Sequence, residues 1–329
     1  MFGKVFGRGA ERPAAADPHA LPVSRRRKGG MYELRALGDV RVLALIEAAD
    51  AEDWEAFKEA AAPFELGSDH QVLSQLVEMD GIQDWIGGPV EEDKQHRALA
   101  LLISGMRHIS WGWEARTASR AVDVTRDQWR VFHERLRIAE EQLLEVAELQ
   151  PQWVTPWRGL LTSGRGMSLG AAINETRLDA ALRRSPLDYE IHMGWVSQLQ
   201  PRWGGEPGEA LEFAREALAR SPEGHRLGCV IAVAHIEEWI ESGRGDCLDT
   251  PEIQAELRDA ARHSILHPAY ERRLGWQYDF NVFAMALSLA SESVVCPRVF
   301  HELDGAYTSW PWSFMGQPEK AYARFRRHA

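Results

Sequence analysis

The 329-residue chain is 45% hydrophobic and 26% charged, an ordinary globular balance that supplies a core without disulfide or metal staples. Its length exceeds one typical domain of about 100 to 150 residues, leaving one elongated helical array or two packed domains. The formal net charge of -11 argues against a nucleic-acid-binding body, and no stretch approaches the roughly 18 to 20 apolar residues of a membrane helix or the apolar core of a signal peptide, so a cytoplasmic protein is expected.

Met1 to Gly30 carries seven Lys or Arg against Glu11 and Asp17, which puts this segment near +5 and the remainder near -16. Its only basic run is Arg25, Arg26, Arg27 and Lys28. In a Pro/Ala/Gly-rich context this reads as a disordered, solvated tail, and nucleic acid is a partner only through it.

From Asp39 onward apolar residues recur three or four apart and no alternating β-branched runs occur, so the reading is all-α with no sheet. Helices are predicted near Val40 to Ala49, Asp53 to Ala61, Asp69 to Glu78 and Asp93 to Ala118. The clearest runs from Thr125 to Glu148. There Trp129, Phe132, Leu136, Ala139, Leu143 and Val146 form one stripe opposite Arg130, Glu134, Arg137, Glu141 and Glu145.

Three segments then end alike, in a helix end followed by a proline: Ala147 to Pro151, Ala181 to Pro186 and Ala217 to Pro222. The prolines lie 35 and 36 residues apart. A period near 34 residues with proline closing the second helix of each pair is the signature of tetratricopeptide-type (TPR) repeats, because proline lacks the N–H that a continuing helix needs. Leu257 to Pro268 is a fourth, weaker copy, delayed by the turn-rich insertion Ser242 to Asp246, expected between stacked units. Thr155 is the expected cap of the helix begun by Pro156. The fold class predicted is therefore a TPR-like helical repeat array, an α-α superhelix with extra N- and C-terminal helices. Its regions are the tail over 1–30, N-terminal helices packed on the array over 31–122, TPR-like pairs over 123–270 and C-terminal capping helices over 271–329.

The string Leu199-Gln200-Pro201-Arg202-Trp203-Gly204-Gly205, followed at once by Glu209-Ala210-Leu211-Glu212-Phe213-Ala214-Arg215-Glu216-Ala217, is more distinctive than the period. With Trp113-Glu114-Ala115-Arg116, Trp129, Phe132 and the proline-ended repeats, it resembles a bacterial family known as domain of unknown function 4034, over about residues 110 to 235. That resemblance implies a TPR-like fold and no established activity. Read physically, Pro201 and the glycine pair make a tight connection between helices, Trp203 plugs the space between helix ends, and Arg202 is expected to bond carbonyls at a helix C-terminus in preference to an anionic ligand.

Gly166-Met167-Ser168-Leu169-Gly170 formally matches the GxSxG nucleophile elbow, but that motif needs a strand before the serine. Ser168 is instead expected to cap the following helix. His263 and His267 are four apart, yet His267 precedes Pro268 and no third ligand accompanies them, so a helix-end role is expected. His96 and His108 fall on one side of a predicted helix, facing acids such as Glu114, and neither is assigned as a base. Gly164-Arg165-Gly166 is too short for a phosphate cradle and lacks a GKS or GKT ending. Cys229, Cys247 and Cys296 have no CxxC spacing and read as free thiols. No catalytic residue, metal or cofactor is assigned. The thirteen tryptophans are expected mostly in the core, with Trp310 and Trp312 the best candidates for an exposed pair.

Three functions remain in view, the last of them nucleic-acid association through the basic tail. The first is a non-enzymatic scaffold that binds a protein or peptide partner in the groove lined by the first helix of each pair. Repeat phase puts Arg158, Thr162, Glu190, Ser197 and Arg226 there. The second is a helical enzyme or small-molecule binder with a pocket around Trp113, Arg116, Arg202 and Trp203, where aromatics and arginines hold an anionic ligand.

Overall fold

The structure, a computed structural model, describes residues 19–21, 30–117 and 123–329. The basic run Arg25 to Lys28 and the expected helix end at Ala118 lie outside the described residues. Helix accounts for 67% of the protein and strand for 2%, which makes it a mostly helical protein. No helix among the described residues is long and apolar enough to cross a membrane.

The N-terminal block is a set of short helices: α1 (Val40–Asp50), α2 (Trp54–Ala61), α3 (His70–Val77), α4 (Ile82–Trp85) and α5 (Gly87–Glu92). The first three start where an aspartate offers its carboxylate to free amides: Asp39 accepts from Arg41 N, Asp53 from Ala56 N and Asp69 from Val72 N. They pack on α6 (Arg97–Arg116), which is buried on most sides, and through it on α7 (Arg126–Leu149). The α7 stripe of Phe132, Leu136, Ala139, Leu143 and Val146 is buried as its spacing predicts. Thr125 and Gln128 form the reciprocal capping box that starts the helix. Gly105 faces Leu143, and Gly112 faces Leu136 and the Phe132 carbonyl. Position therefore falls along α7 as it rises along α6, and the two helices run antiparallel. At Gly105 a Cβ would lie 2.9 Å from Leu143 Cγ, so a bare Cα sets this close approach.

After α7 the chain forms successive helices α8 (Thr155–Gly166), α9 (Ala171–Arg184), α10 (Tyr189–Gln198), α11 (Glu209–Arg220), α12 (Cys229–Ser242), α13 (Pro251–His263), α14 (Trp276–Leu289) and α15 (Cys296–Leu303). Helices α7, α9, α11 and α13 end two to five residues before Pro151, Pro186, Pro222 and Pro268. The first members form a row in which α6 touches α8, α8 touches α10, α10 touches α12 and α12 touches α14, while each also packs on the helix that follows it. The segment Ser242 to Asp246 lies in the connection between α12 and α13. Thr155 lies within α8 instead of capping it. Its Oγ1 donates to the Leu66 carbonyl at 3.1 Å, a tertiary bond that outcompetes local capping.

The expectation of no sheet needs correcting. Strand β1 (Tyr32–Glu33) pairs in parallel with β2 (Ala306–Tyr307), a ladder too short to leave an alternating pattern. Beyond it, α16 (Pro318–Arg326) closes the C-terminal region. The expected exposed pair of tryptophans is also overturned. Trp312 is fully buried against Phe300, Tyr322 and Phe325, and its indole N–H donates to Asn281 Oδ1 at 2.7 Å. Trp310 is half-buried. Asn281 supplies the hydrogen-bond partner that a buried indole requires, which draws the ring inward.

Candidate functional site: an arginine and tryptophan cleft at the helix ends

A cleft of ≈ 870 Å³ opens where α6 ends, α7 begins, α8 gives way to α9, and α10 gives way to α11. Its size falls in the usual range of roughly 300 to 1,000 Å³ for small-molecule sites. Bare backbone lines much of it, at Gly164, Gly170, Gly204 and Gly205. At Gly205 a Cβ would sit 2.0 Å from the Leu199 carbonyl oxygen, so only glycine lets the 201–205 turn fold back over the end of α10.

Indole rings build the wall. Trp113 meets Trp203 edge to face at 5.6 Å between centroids, and Phe132 packs on Trp113 at 5.0 Å and on Trp129 at 5.6 Å. Trp203 therefore plugs the helix ends, as its place beside two glycines suggests, and also presents a face to the cleft. The Arg116 guanidinium stands 5.5 Å from Trp113, 5.5 Å from Trp129 and 5.8 Å from Trp203. These distances suit cation–π attraction. Of the four residues expected at a pocket, Arg116, Arg202 and Trp203 line the cleft, and Trp113 packs against Trp203 outside its lining.

Arg202 behaves differently from expectation. It caps no carbonyl; its guanidinium pairs with Glu237 and with Glu241 at 3.0 Å, both on α12. Acidic side chains one turn apart on α12 outbid the helix end for it.

Sequence reasoning missed Arg165. It lies beside the edge-to-face pair of Trp113 and Trp203, 5.7 Å and 5.5 Å from their centroids, and its Nη1 donates to the Gly194 carbonyl at 3.3 Å. Its Nε is buried without a hydrogen-bond partner, and no carboxylate among the described residues lies within ion-pair distance of it. Burial, then the like charge of Arg158, push its pKa down to about 10, and Glu237 only partly offsets them. A guanidinium so placed lacks a close countercharge. Close by, Asn174 is 2% exposed, lines the cleft and has an unpartnered Oδ1, while its Nδ2 reaches Gln198 Oε1 at 3.5 Å.

Ser168 also lines the cleft, but it does not cap α9: the N-cap is Gly170 and no side chain bonds the first amides. Ser168 is held at φ +54°, the strained backbone of an elbow serine, but a helix and not a strand precedes it, so the elbow context is missing.

The five residues expected in a partner groove are engaged within the chain. Arg158 Nη1 donates to Thr162 Oγ1 at 3.1 Å and its Nε lies 3.9 Å from Glu190, whose carboxyl burial raises despite that neighbour. Ser197 donates to Glu237 at 3.1 Å. Arg226 grips Asp279 with two bonds, 2.5 and 3.1 Å, and lies 4.1 Å over Tyr189. The α2–α3 connection and the start of α3 meet these helices: Val154 N and Thr155 N both donate to the Gly67 carbonyl, and Gln71 on α3 meets Arg226 and Gly275. The chain's own N-terminal block thus covers part of the face where a peptide was expected.

The histidines are spoken for elsewhere. His263 contacts the Ser221 carbonyl, His267 pairs with Glu223, His96 pairs with Asp93 and His108 stacks on Trp111, leaving Glu114 to Arg107. Among the described residues no three His, Cys, Asp or Glu side chains converge as a metal site would require, and the three cysteines are free thiols. No protein-family model matches the chain, and no curated protein matches it either.

Proposed function

We propose that the chain is a TPR-like helical protein whose cleft binds a small anionic ligand bearing a flat group, and that it belongs with the uncharacterised family suggested by its Pro-Arg-Trp-Gly-Gly turn. Support for the array comes from the row of first helices and the proline that follows each pair. The observation that carries the ligand reading is Arg165: a half-buried arginine whose Nε is buried and unpartnered, with no carboxylate within ion-pair distance among the described residues, at a cleft lined by Trp129, Trp195 and Trp203. Trp129 and Trp203 offer rings for stacking, and Arg165 supplies the charge-assisted bond.

A protein or peptide partner is the second reading. The coverage of the first-helix row by residues 66–71 moves such a partner to another face.

Isothermal titration with 1-naphthoate and 1-naphthyl phosphate, two flat anions that share one ring system, tests the ligand reading. Binding of either probe, weakened at least tenfold in Arg165→Gln, is expected. No measurable binding of both, or binding that Arg165→Gln leaves unchanged, refutes it.

A further inference from the structure

Residues 66–71 seat the N-terminal block on the start of α8 and on the chain around Arg226 and Gly275. The Leu66 carbonyl accepts from Thr155 Oγ1, and the Gly67 carbonyl accepts from Val154 N and Thr155 N at 3.0 and 2.9 Å. Gly67 is pressed against the Trp153 ring, where a Cβ would lie 2.2 Å from Cδ2. Gln71 donates to the Gly275 carbonyl at 3.4 Å and accepts from Arg226 at 3.5 Å. The apolar side of α3 is held separately: Val72, Leu73, Leu76 and Val77 are buried, and the helix packs on α1 and α6. The polar seat can therefore part from α8 while α3 keeps its core.

Within this seat His70 is the first residue of α3, and its Nδ1 is buried without a hydrogen-bond partner. Three features of the position disfavour an imidazolium. A protonated Nδ1 would be a buried, charged donor with nothing to receive it. The positive end of the α3 dipole lies at the same residue. The charged group that faces the ring from the helices packed against it is the Arg158 guanidinium of α8, and burial, then this like charge, hold the His70 pKa well below 6.5. Asp69, the preceding residue, turns its carboxylate to Val72 N as the helix cap. Arg226 faces Asp69, while Asp188 and Glu190 of α10 face Arg158.

We propose that His70 is an acid-operated latch: when its ring takes up a proton, the 66–71 seat breaks and the N-terminal block lets go of the start of α8 and of Arg226. The device is independent of the cleft and its ligand. A proton that the open form accepts and the closed form refuses favours opening, so the latch is closed above about pH 6.5 and loosens as pH falls below it. Burial raises the pKa of Asp69, Asp188 and Glu190, so these carboxyls hold protons better in the closed form and act against opening in acid. Opening bares the head of α8, part of the face where a peptide partner was expected.

The amides of Val154 and Thr155, which donate to Gly67, report the seat. Hydrogen exchange of a peptide over 150–158, read by mass spectrometry at pH 7.5 and 5.5 and corrected for the pH dependence of intrinsic exchange, tests the latch. In the open form an imidazole with the ordinary value is about 90% protonated at pH 5.5, which multiplies the open population roughly tenfold. Protection of these amides should fall by roughly that factor, while a peptide over 97–116 on α6 keeps its own. His70→Gln, neutral at both pH values, should remove the fall. No fall in the wild type, or an equal fall in His70→Gln, overturns the proposal. A second measurement needs no variant. Exchange of the histidine ring C2 hydrogen in the wild-type chain should give His70 a midpoint below 6.5, and a midpoint at or above that value overturns the latch whatever the variant does.

Discussion

Replacing Arg165 by methionine, a side chain of similar reach without charge, should make the protein slightly more stable while it loses ligand binding. A pKa pushed from 12.5 to about 10 corresponds to roughly 3 kcal/mol disfavouring the cation, and the part of the side chain left in water reduces that figure. Against this stand two cation–π contacts, to Trp113 and Trp203, worth about 0.5 to 1 kcal/mol each, and one bond to Gly194 at 3.3 Å worth about 0.5 kcal/mol at that length. The balance is a gain of at most about 1 kcal/mol, the pattern expected when a site holds a charge for binding at the expense of the fold. Urea unfolding followed by circular dichroism, compared at constant slope, measures it. A loss of 1 kcal/mol or more would show that Arg165 holds the helix ends together, and the argument that it awaits a ligand would fail.

Glu292 makes the opposite case. Its fully enclosed carboxylate accepts from the backbone N–H of Val294, Val295 and Cys296 and from Arg258 on α13, so Glu292→Ala strands several donors and should cost about 3 to 5 kcal/mol in the same urea assay. The α12–α13 contact should depend on pH in both directions. Burial opposes the charge of His235, but Glu238 and Glu256 outweigh it and raise its pKa, so its stabilisation is complete below the unfolded value of 6.5 and is lost as pH rises through the higher folded value. Glu256, hydrogen-bonded to His235 and held down to about 2 against burial and with help from Arg215, contributes above its unfolded value of 4.5 and loses that contribution as pH falls toward 2. The urea midpoint should therefore be highest for this contact between about pH 4.5 and 6.5, and His235→Gln should flatten the alkaline limb; an unchanged limb would refute the assignment.

The local features were legible because their causes are local. The buried α7 stripe and the Thr125–Gln128 capping box follow from residues three and four apart, and helix ends before Pro151, Pro186 and Pro222 follow from a missing N–H. Trp113, Arg116 and Trp203 were grouped because tryptophan beside arginine is conspicuous. Arg165 is not legible, because nothing in the Gly-Arg-Gly string shows that α8 ends beside Trp113 and Trp203. Similarly, repeat phase places Arg158 and Arg226 on the first helices but says nothing of what covers them. That Gly67 and Gln71 cross this row is decided by contacts about 90 to 155 residues apart in sequence.

The two-residue ladder between Tyr32–Glu33 and Ala306–Tyr307 has a bearing on the order of assembly. Strand β1 is made early and its partner close to the last of the described helices, so on the ribosome it has nothing to pair with until most of the protein has emerged. The helix pairs α8–α13, bound to near neighbours, can form while translation proceeds. The N-terminal block instead waits for Arg226, Gly275 and finally Ala306 before its docking is complete. A ribosome stalled before codon 306 would hold these helices with Tyr32 and Glu33 still lacking their strand partner.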